Sequence, residues 1–233
     1  MKVLLFGATG MVGQGVLREC LLDPGVEGVT AVGRNPTGVT HPKLRDLVHR
    51  DLFDLSPIEH ELAGFDASFY CLGVSSMGLT EGAYRRVTRD LTVAVAETLV
   101  RLNPGMTFVF VSGAGSDSTE RGTSMWARVK GQAENVVLRL PFKTVCVFRP
   151  GVIIPLHGIE SKTALYRIPY AIARPLLPLL ERLLPDYVTT TEKIGRAMLR
   201  VAREGRPKPI LETANINVLA QPSPAPPALP PSR

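Results

Sequence analysis

Lys2-Val3-Leu4-Leu5-Phe6-Gly7-Ala8-Thr9-Gly10-Met11-Val12-Gly13 decides how this chain is read. Its first five residues form a short apolar run, long enough for a buried parallel strand. Behind the glycines, Val12, Val16, Leu17, Cys20 and Leu21 recur at helical spacing. Strand, glycine turn and helix in succession let a phosphate reach backbone N–H groups at a helix N-terminus, where a Cβ would block it. The stretch predicts a dinucleotide-binding loop, with Gly7, Thr9, Gly10, Met11, Val12 and Gly13 against the cofactor. A glycine-rich turn that binds nothing is the competing reading. A second strand at the right distance argues against it.

That second strand, Val29-Thr30-Ala31-Val32, ends in Gly33-Arg34. In a fold of this kind the residue after the second strand reads the ribose, and an acidic side chain there favours NAD. Here the position holds Arg34, with Asn35 beside it. A guanidinium suits a 2′-phosphate through charge-assisted, often bidentate hydrogen bonds. NADP is therefore expected over NAD. A solvated turn arginine is the other reading of Arg34.

Strand and helix signals alternate through residue 153. Strands are expected near 46–49, 67–71, 107–111 and 144–148, and helices over 84–102 and 123–140. The alternation predicts an α/β fold, a doubly wound parallel sheet of the Rossmann type, with a dinucleotide-binding core over 1–153. Ligands in such sheets sit at the carboxyl ends of the strands. Gly7, Arg34, Asp51, Gly73, Ser112 and Pro150 all fall at those ends. Residues 154–219 read as a smaller part of the same domain, facing the substrate and folded over the ligand end. A helix start is expected there, with a capping box from Thr189 to Glu192. Residues 220–233 are Pro-rich without apolar periodicity and read as a disordered tail.

At 233 residues, with 45% apolar, the chain can bury a core as one domain. Cys20, Cys71 and Cys146 form no paired or metal-binding spacing, so free thiols in a reducing compartment are expected, and with them a cytoplasmic protein. The apolar run at the N-terminus is too short for a signal peptide. The apolar stretch 164–184 is broken by Arg167, Pro169, Arg174, Pro175, Glu181 and Arg182, so no membrane span is expected. The net charge of +6 is mostly arginine. Arg196, Arg200 and Arg203 share one helix face, but no basic and aromatic residues interleave, and no nucleic-acid partner is expected. The four histidines show no ligand spacing, and no metal is expected.

Several stretches together resemble the short-chain dehydrogenase/reductase superfamily over about residues 1–205. They are the glycine loop 7–13, Cys71-Leu72-Gly73, Tyr84-Arg85-Arg86-Val87-Thr88-Arg89-Asp90, Val129-Lys130-Gly131 and Phe148-Arg149-Pro150-Gly151-Val152. The chain is similar to the atypical and extended branch that includes sugar-nucleotide epimerases and NmrA-like regulators, and most similar to the Tat-interacting-protein-like oxidoreductases. The resemblance implies a catalytic Ser, Tyr and Lys. Ser112 matches the Ser, and Lys130 matches the Lys that binds the nicotinamide ribose. The position four before Lys130 holds Trp126 instead of Tyr. An indole N–H donates a hydrogen bond but cannot exchange a proton near neutral pH. Water, Lys130 or another hydroxyl, Tyr84 or Tyr166, would have to serve.

The resemblance also implies cofactor contacts from Asp51 and Leu52 at the adenine, from Cys71, Leu72 and Gly73, and from Pro150, Gly151 and Val152 at the nicotinamide end. Ser75, Tyr84 and Trp126 are the expected substrate contacts. Each has a plainer reading: Asp51 as a turn cap, Ser112 as a strand-end cap, Lys130 as a surface lysine, Trp126 as core, Tyr84 as packing. The function expected is an NADP-dependent oxidoreductase or epimerase-like protein acting on a small, fairly apolar carbonyl compound. The alternative is a non-catalytic NADP(H) sensor. A homodimer through the flanking helices is a further expectation.

Overall fold

A computed structural model describes residues 1–159 and 183–222. In chain order it contains β1 (Lys2–Phe6), α1 (Met11–Leu22), β2 (Gly28–Gly33), β3 (Leu44–Val48), a 3-10 turn (Ser56–Glu61) and β4 (Ala67–Tyr70). There follow α2 (Glu81–Arg85), a π turn (Arg86–Asp90), α3 (Leu91–Leu102), β5 (Thr107–Val111), α4 (Met125–Val137) and β6 (Thr144–Arg149). Beyond these lie β7 (Val152–Ile154), β8 (Val188–Thr190), α5 (Thr191–Glu204), β9 (Ile210–Glu212) and α6 (Thr213–Leu219).

Seven strands form one sheet in the order β3-β2-β1-β4-β5-β6-β9. Every neighbouring pair is parallel. Side chains alternate between the two faces of a strand, so a sheet covered on both sides needs apolar residues at every position. β1 meets that need. Val3 and Leu5 pack with α1 and α5 on one face, while Leu4 and Phe6 pack with α3 and α4 on the other. The strand order reverses between β1 and β4, which opens a crevice at their carboxyl ends. The expected doubly wound sheet is therefore present.

Boundaries differ where tertiary contacts outvote local pattern. The third strand starts at Leu44, earlier than expected, because it pairs with β2 from Val29↔Leu44 onward. The helix expected over 84–102 begins at Glu81, where the Thr80 side chain accepts from the Ala83 N–H at 3.3 Å. It passes through the π turn, which apolar periodicity does not reveal. The cap of α5 is Thr190, accepting from the Lys193 N–H at 3.0 Å, so a single side-chain cap one residue further on stands in place of the expected capping box from Thr189 to Glu192. Thr189 instead lies inside β8.

The expectation that residues 154–219 fold over the ligand end falls largely on 160–182, which lie outside the described residues. α5 packs along α1, and β9 extends the main sheet beside β6. The two helices approach closely because both carry glycine at the crossing. A Cβ on Gly15 would lie 2.5 Å from Thr191 Cβ, and one on Gly195 would lie 2.7 Å from Glu19 Cγ. Asn217 of α6 donates to the carbonyls of Pro185 and Val188 at 2.7 and 2.8 Å, tying α6 to β8. Most of the apolar stretch 164–184, with Tyr166, and nearly all of the Pro-rich tail lie outside the described residues. Among the described residues no helix is long and apolar enough to cross a membrane, and no cluster of metal-binding side chains occurs.

Candidate functional site

The glycine loop enters the crevice beside β4. Gly7 has φ +81°, and a Cβ there would lie 2.7 Å from the Cys71 carbonyl carbon. Only glycine lets the loop pass this close to the end of β4. Gly13 plays a different part. Its Cβ would lie 2.0 Å from the Gly7 carbonyl oxygen, so it seats α1 against the loop from behind and does not line the crevice.

Helix α1 starts at this loop without a side-chain cap and without an acidic residue in its first turn. The first N–H groups of a helix have no intrahelical acceptor, and the helix dipole adds partial positive charge there. Gly10 at the N-cap position leaves the approach open. This is a cradle for a phosphate, and it fits the pyrophosphate of a dinucleotide.

A cleft of about 500 Å³ runs along the strand ends. Gly7, Thr9, Gly10, Met11 and Val12 form its floor. Arg34 and Leu52 stand at one end. Cys71, Leu72, Gly73, Ser112 and Lys130 continue the wall past the switch point. The structure thus brings these twelve of the expected residues together. It adds others that the sequence reading missed: Ala8, Ala31, Val32, Gly33, Asn35, Thr37, Val111 and Ile153. Most of these close or follow a strand, and that position was the available signal.

Other expected contacts lie elsewhere. Asp51 Oδ1 accepts from the Phe53 N–H at 3.0 Å and caps its own turn. Ser75 is exposed and accepts from the Met77 N–H at 3.2 Å. Tyr84 is the buried residue of α2, and burial pushes its phenol above the ordinary value. Trp126 lies against Gly115 in the turn after β5, its Cη2 3.3 Å from where a Gly115 Cβ would be. Pro150, Gly151 and Val152 pass beside the cleft. The Gly151 N–H donates to Thr213 Oγ1 at 2.9 Å, Val152 is exposed, and Ile153 reaches the cleft instead.

Two cations on the cleft have no hydrogen-bond or ion-pair partner among the described residues. Arg34 is exposed, at the end of β2. Lys130 projects from α4, and burial lowers its amine to about 8 while Glu134 opposes that fall. Cys71 stays a thiol, because burial pushes its pKa up. Ser112 Oγ donates to Glu134 Oε1 and lies 3.0 Å from Ser116 Oγ.

The sequence profile of the NAD dependent epimerase/dehydratase family matches residues 3–124, just over half of the chain. The chain belongs to this family. A nicotinamide dinucleotide is the cofactor class that membership supports.

Similarity to individual members of the wider group is more distant. Protein HTATIP2 of Rattus norvegicus is 28% identical over 66% of this chain. The match spans 63% of that protein, a little under two thirds of its length. Protein FMP52, mitochondrial, of Chaetomium globosum is 25% identical over 69% of this chain and 70% of its own. Further fungal relatives are also named mitochondrial. These names overturn the expectation of a cytoplasmic protein, which rested on unpaired cysteines alone.

Among solved structures, the Bordetella bronchiseptica enzyme WbmF in complex with NAD+ superposes with a TM-score of 0.62 at 16% identity. It covers 93% of this chain and 76% of its own. MoeE5 in complex with UDP-glucose and NAD gives 0.64 at 21% identity, over 91% and 75%. At these identities the likeness is one of fold.

Proposed function

We propose that the chain binds NADP(H) and interconverts a small, fairly apolar carbonyl compound with its alcohol, or acts on it in an epimerase-like way. One observation carries the reading. An uncapped, glycine-cradled helix N-terminus shares a cleft with Arg34 and Lys130, two cations with no partner among the described residues. Arg34 stands at the end of β2, where a 2′-phosphate would need its charge. Leu52 offers an apolar wall to the adenine. Lys130 lies across the switch point, where it would hold the nicotinamide ribose.

A nicotinamide bound there would supply a hydride with its electron pair. Lys130 handles protons. With its amine near 8, both protonation states are populated around neutral pH. The ammonium form can give a proton to the alcohol oxygen as a carbonyl is reduced, and the amine can take one in the reverse direction. Trp126 cannot do either. Loss of a positioned acid such as tyrosine removes roughly 10²–10⁴-fold in rate, so slow turnover is expected.

Titration calorimetry with NADPH and NADH, followed by NADPH oxidation with a panel of small apolar aldehydes and ketones, tests this. Tighter binding of NADPH with turnover of a panel member supports it. Absence of binding to either nucleotide overturns it. Trp126 at the tyrosine position favours a second reading, a sensor that binds NADP(H) without turnover. Tight NADPH binding with no turnover across the panel selects that reading.

A further inference from the structure

A buried polar chain beside the cleft has no part in the cofactor reading. Glu134 of α4 is fully buried. Arg149 Nε donates to both of its oxygens at 3.1 Å, and Arg149 Nη2 donates to Oε2. Nη2 also donates to Ser118 Oγ at 2.6 Å, and Nη1 reaches Glu212 at 3.5 Å. Toward the cleft, Glu134 Oε1 accepts from Ser112 Oγ. Ser116 Oγ, 3.0 Å from Ser112 Oγ, donates to the Gly113 carbonyl at 2.8 Å.

Counting protons gives this chain a direction. A hydroxyl has one proton and two acceptor lone pairs. The Ser112 proton is taken by Glu134, so Ser116 is the only donor left for the 3.0 Å contact between the two hydroxyls, its proton shared with the Gly113 carbonyl. Ser112 lines the cleft, so it meets a ligand with lone pairs only. A protonated Glu134 would reverse this by donating to Ser112 and releasing the serine proton. Arg149 donates to both oxygens of Glu134, so the contacts of this carboxylate with Arg149 are ones it accepts, as it accepts from Ser112. The serine proton therefore points at Glu134 and away from the cleft.

We propose that Glu134 is a positioning residue that holds the Ser112 proton, so that Ser112 only accepts from a ligand and the cleft is matched there to the alcohol partner of the reaction. This rests on the NADP(H)-dependent reading and specifies its substrate class as hydroxyl compounds. A carbonyl oxygen must then find its donor in Lys130, since Ser112 has no proton to offer.

The test uses full-length protein saturated with NADP+ and two matched probes, cyclohexanol and cyclohexanone, with affinities from saturation-transfer NMR. Wild type is expected to favour the alcohol by roughly three- to tenfold, the worth of one hydrogen bond. Ser112→Ala should erase the preference. Glu134→Gln should reverse it, because a glutamine amide N–H can donate to Ser112 and free the serine proton for the ketone. Equal affinities in wild type, or a Glu134→Gln protein that still favours the alcohol, overturn the proposal. If Arg149, left without its carboxylate, prevents that variant from folding, Glu134→Gln with Arg149→Met removes both charges and replaces it. Failure of wild type to bind NADP+ sinks the cofactor reading itself, whereas binding without alcohol preference sinks only this inference.

Discussion

Arg34 and Lys130 share a cleft but differ in what their charge costs. Arg34 is exposed, so its charge stays solvated until a ligand arrives. Arg34→Asp should weaken NADPH binding about tenfold or more by replacing attraction with repulsion, while NADH binding is spared or improved. Calorimetry with both nucleotides checks this, and equal losses would remove Arg34 from the phosphate. Lys130 is already partly desolvated, which lowers its amine from 10.5 to about 8. Between those values the unfolded chain holds a proton that the folded chain lacks. Stability therefore rises with pH from about 8 to 10.5, and the full penalty applies below 8. Lys130→Met should raise the denaturant midpoint at pH 7, with the gain shrinking by pH 10, and should weaken NADPH binding. A variant less stable than wild type at pH 7 would contradict this account of the burial. Both positions were legible in the sequence, because each follows or faces a strand end. The Ser112–Glu134 contact was not. It joins residues 22 apart through the packing of α4 on β5, and no local pattern records that register.

Elements read well from sequence when their apolar pattern was unbroken, as a continuous run buried on both faces in β1 and β5 and as one helical face in α3. The π turn at Arg86–Asp90 and the one-residue shift of the α5 cap escaped, since both depend on where the chain is held from outside. The placement of α5 on α1 escaped for the same reason. Its signature is a pair of helix-interior glycines, which alone read as weak helix formers. Gly15→Ala puts a methyl 2.5 Å from Thr191 Cβ and 2.8 Å from the Thr191 carbonyl oxygen. It should cost about 1–3 kcal/mol by forcing the helices apart. Gly105 has nothing within 4 Å of its added Cβ, so Gly105→Ala should change stability by under about 1 kcal/mol. Thermal melts of the two variants side by side test the crossing. Similar melting temperatures would mean that α5 does not seat on α1 this tightly.

At the scale of the molecule, the family profile ends at residue 124, yet the fold it describes is finished by later chain. Lys130, Arg149 and the edge strand β9 all lie beyond that point. Leu211 on β9 is fully buried against the core shared by α1 and α5. Leu211→Ala should therefore destabilise the whole domain by roughly 2–5 kcal/mol, as a central core leucine would. Denaturant unfolding followed by far-UV circular dichroism checks this. A loss confined to a separate early transition would make β9 an independent appendage. The C-terminal pattern, rich in proline and leucine, suggested a cover over the ligand end because composition gives no direction in space. For α5, β9 and α6 the closing contacts are with the first helix and the last strands.

The contact between α1 and α5 also sets an order of events during synthesis. Glu19 of α1 is buried, and Arg196 of α5 donates to it across 177 residues of chain. When α1 leaves the ribosome, its partner helix has not yet been made. The groove around Gly15 must stay open until residues 191–204 have emerged. An interrupted translation product ending before residue 190 would be expected to be held by chaperones or degraded, whereas one a few dozen residues longer could lock its first helix in place.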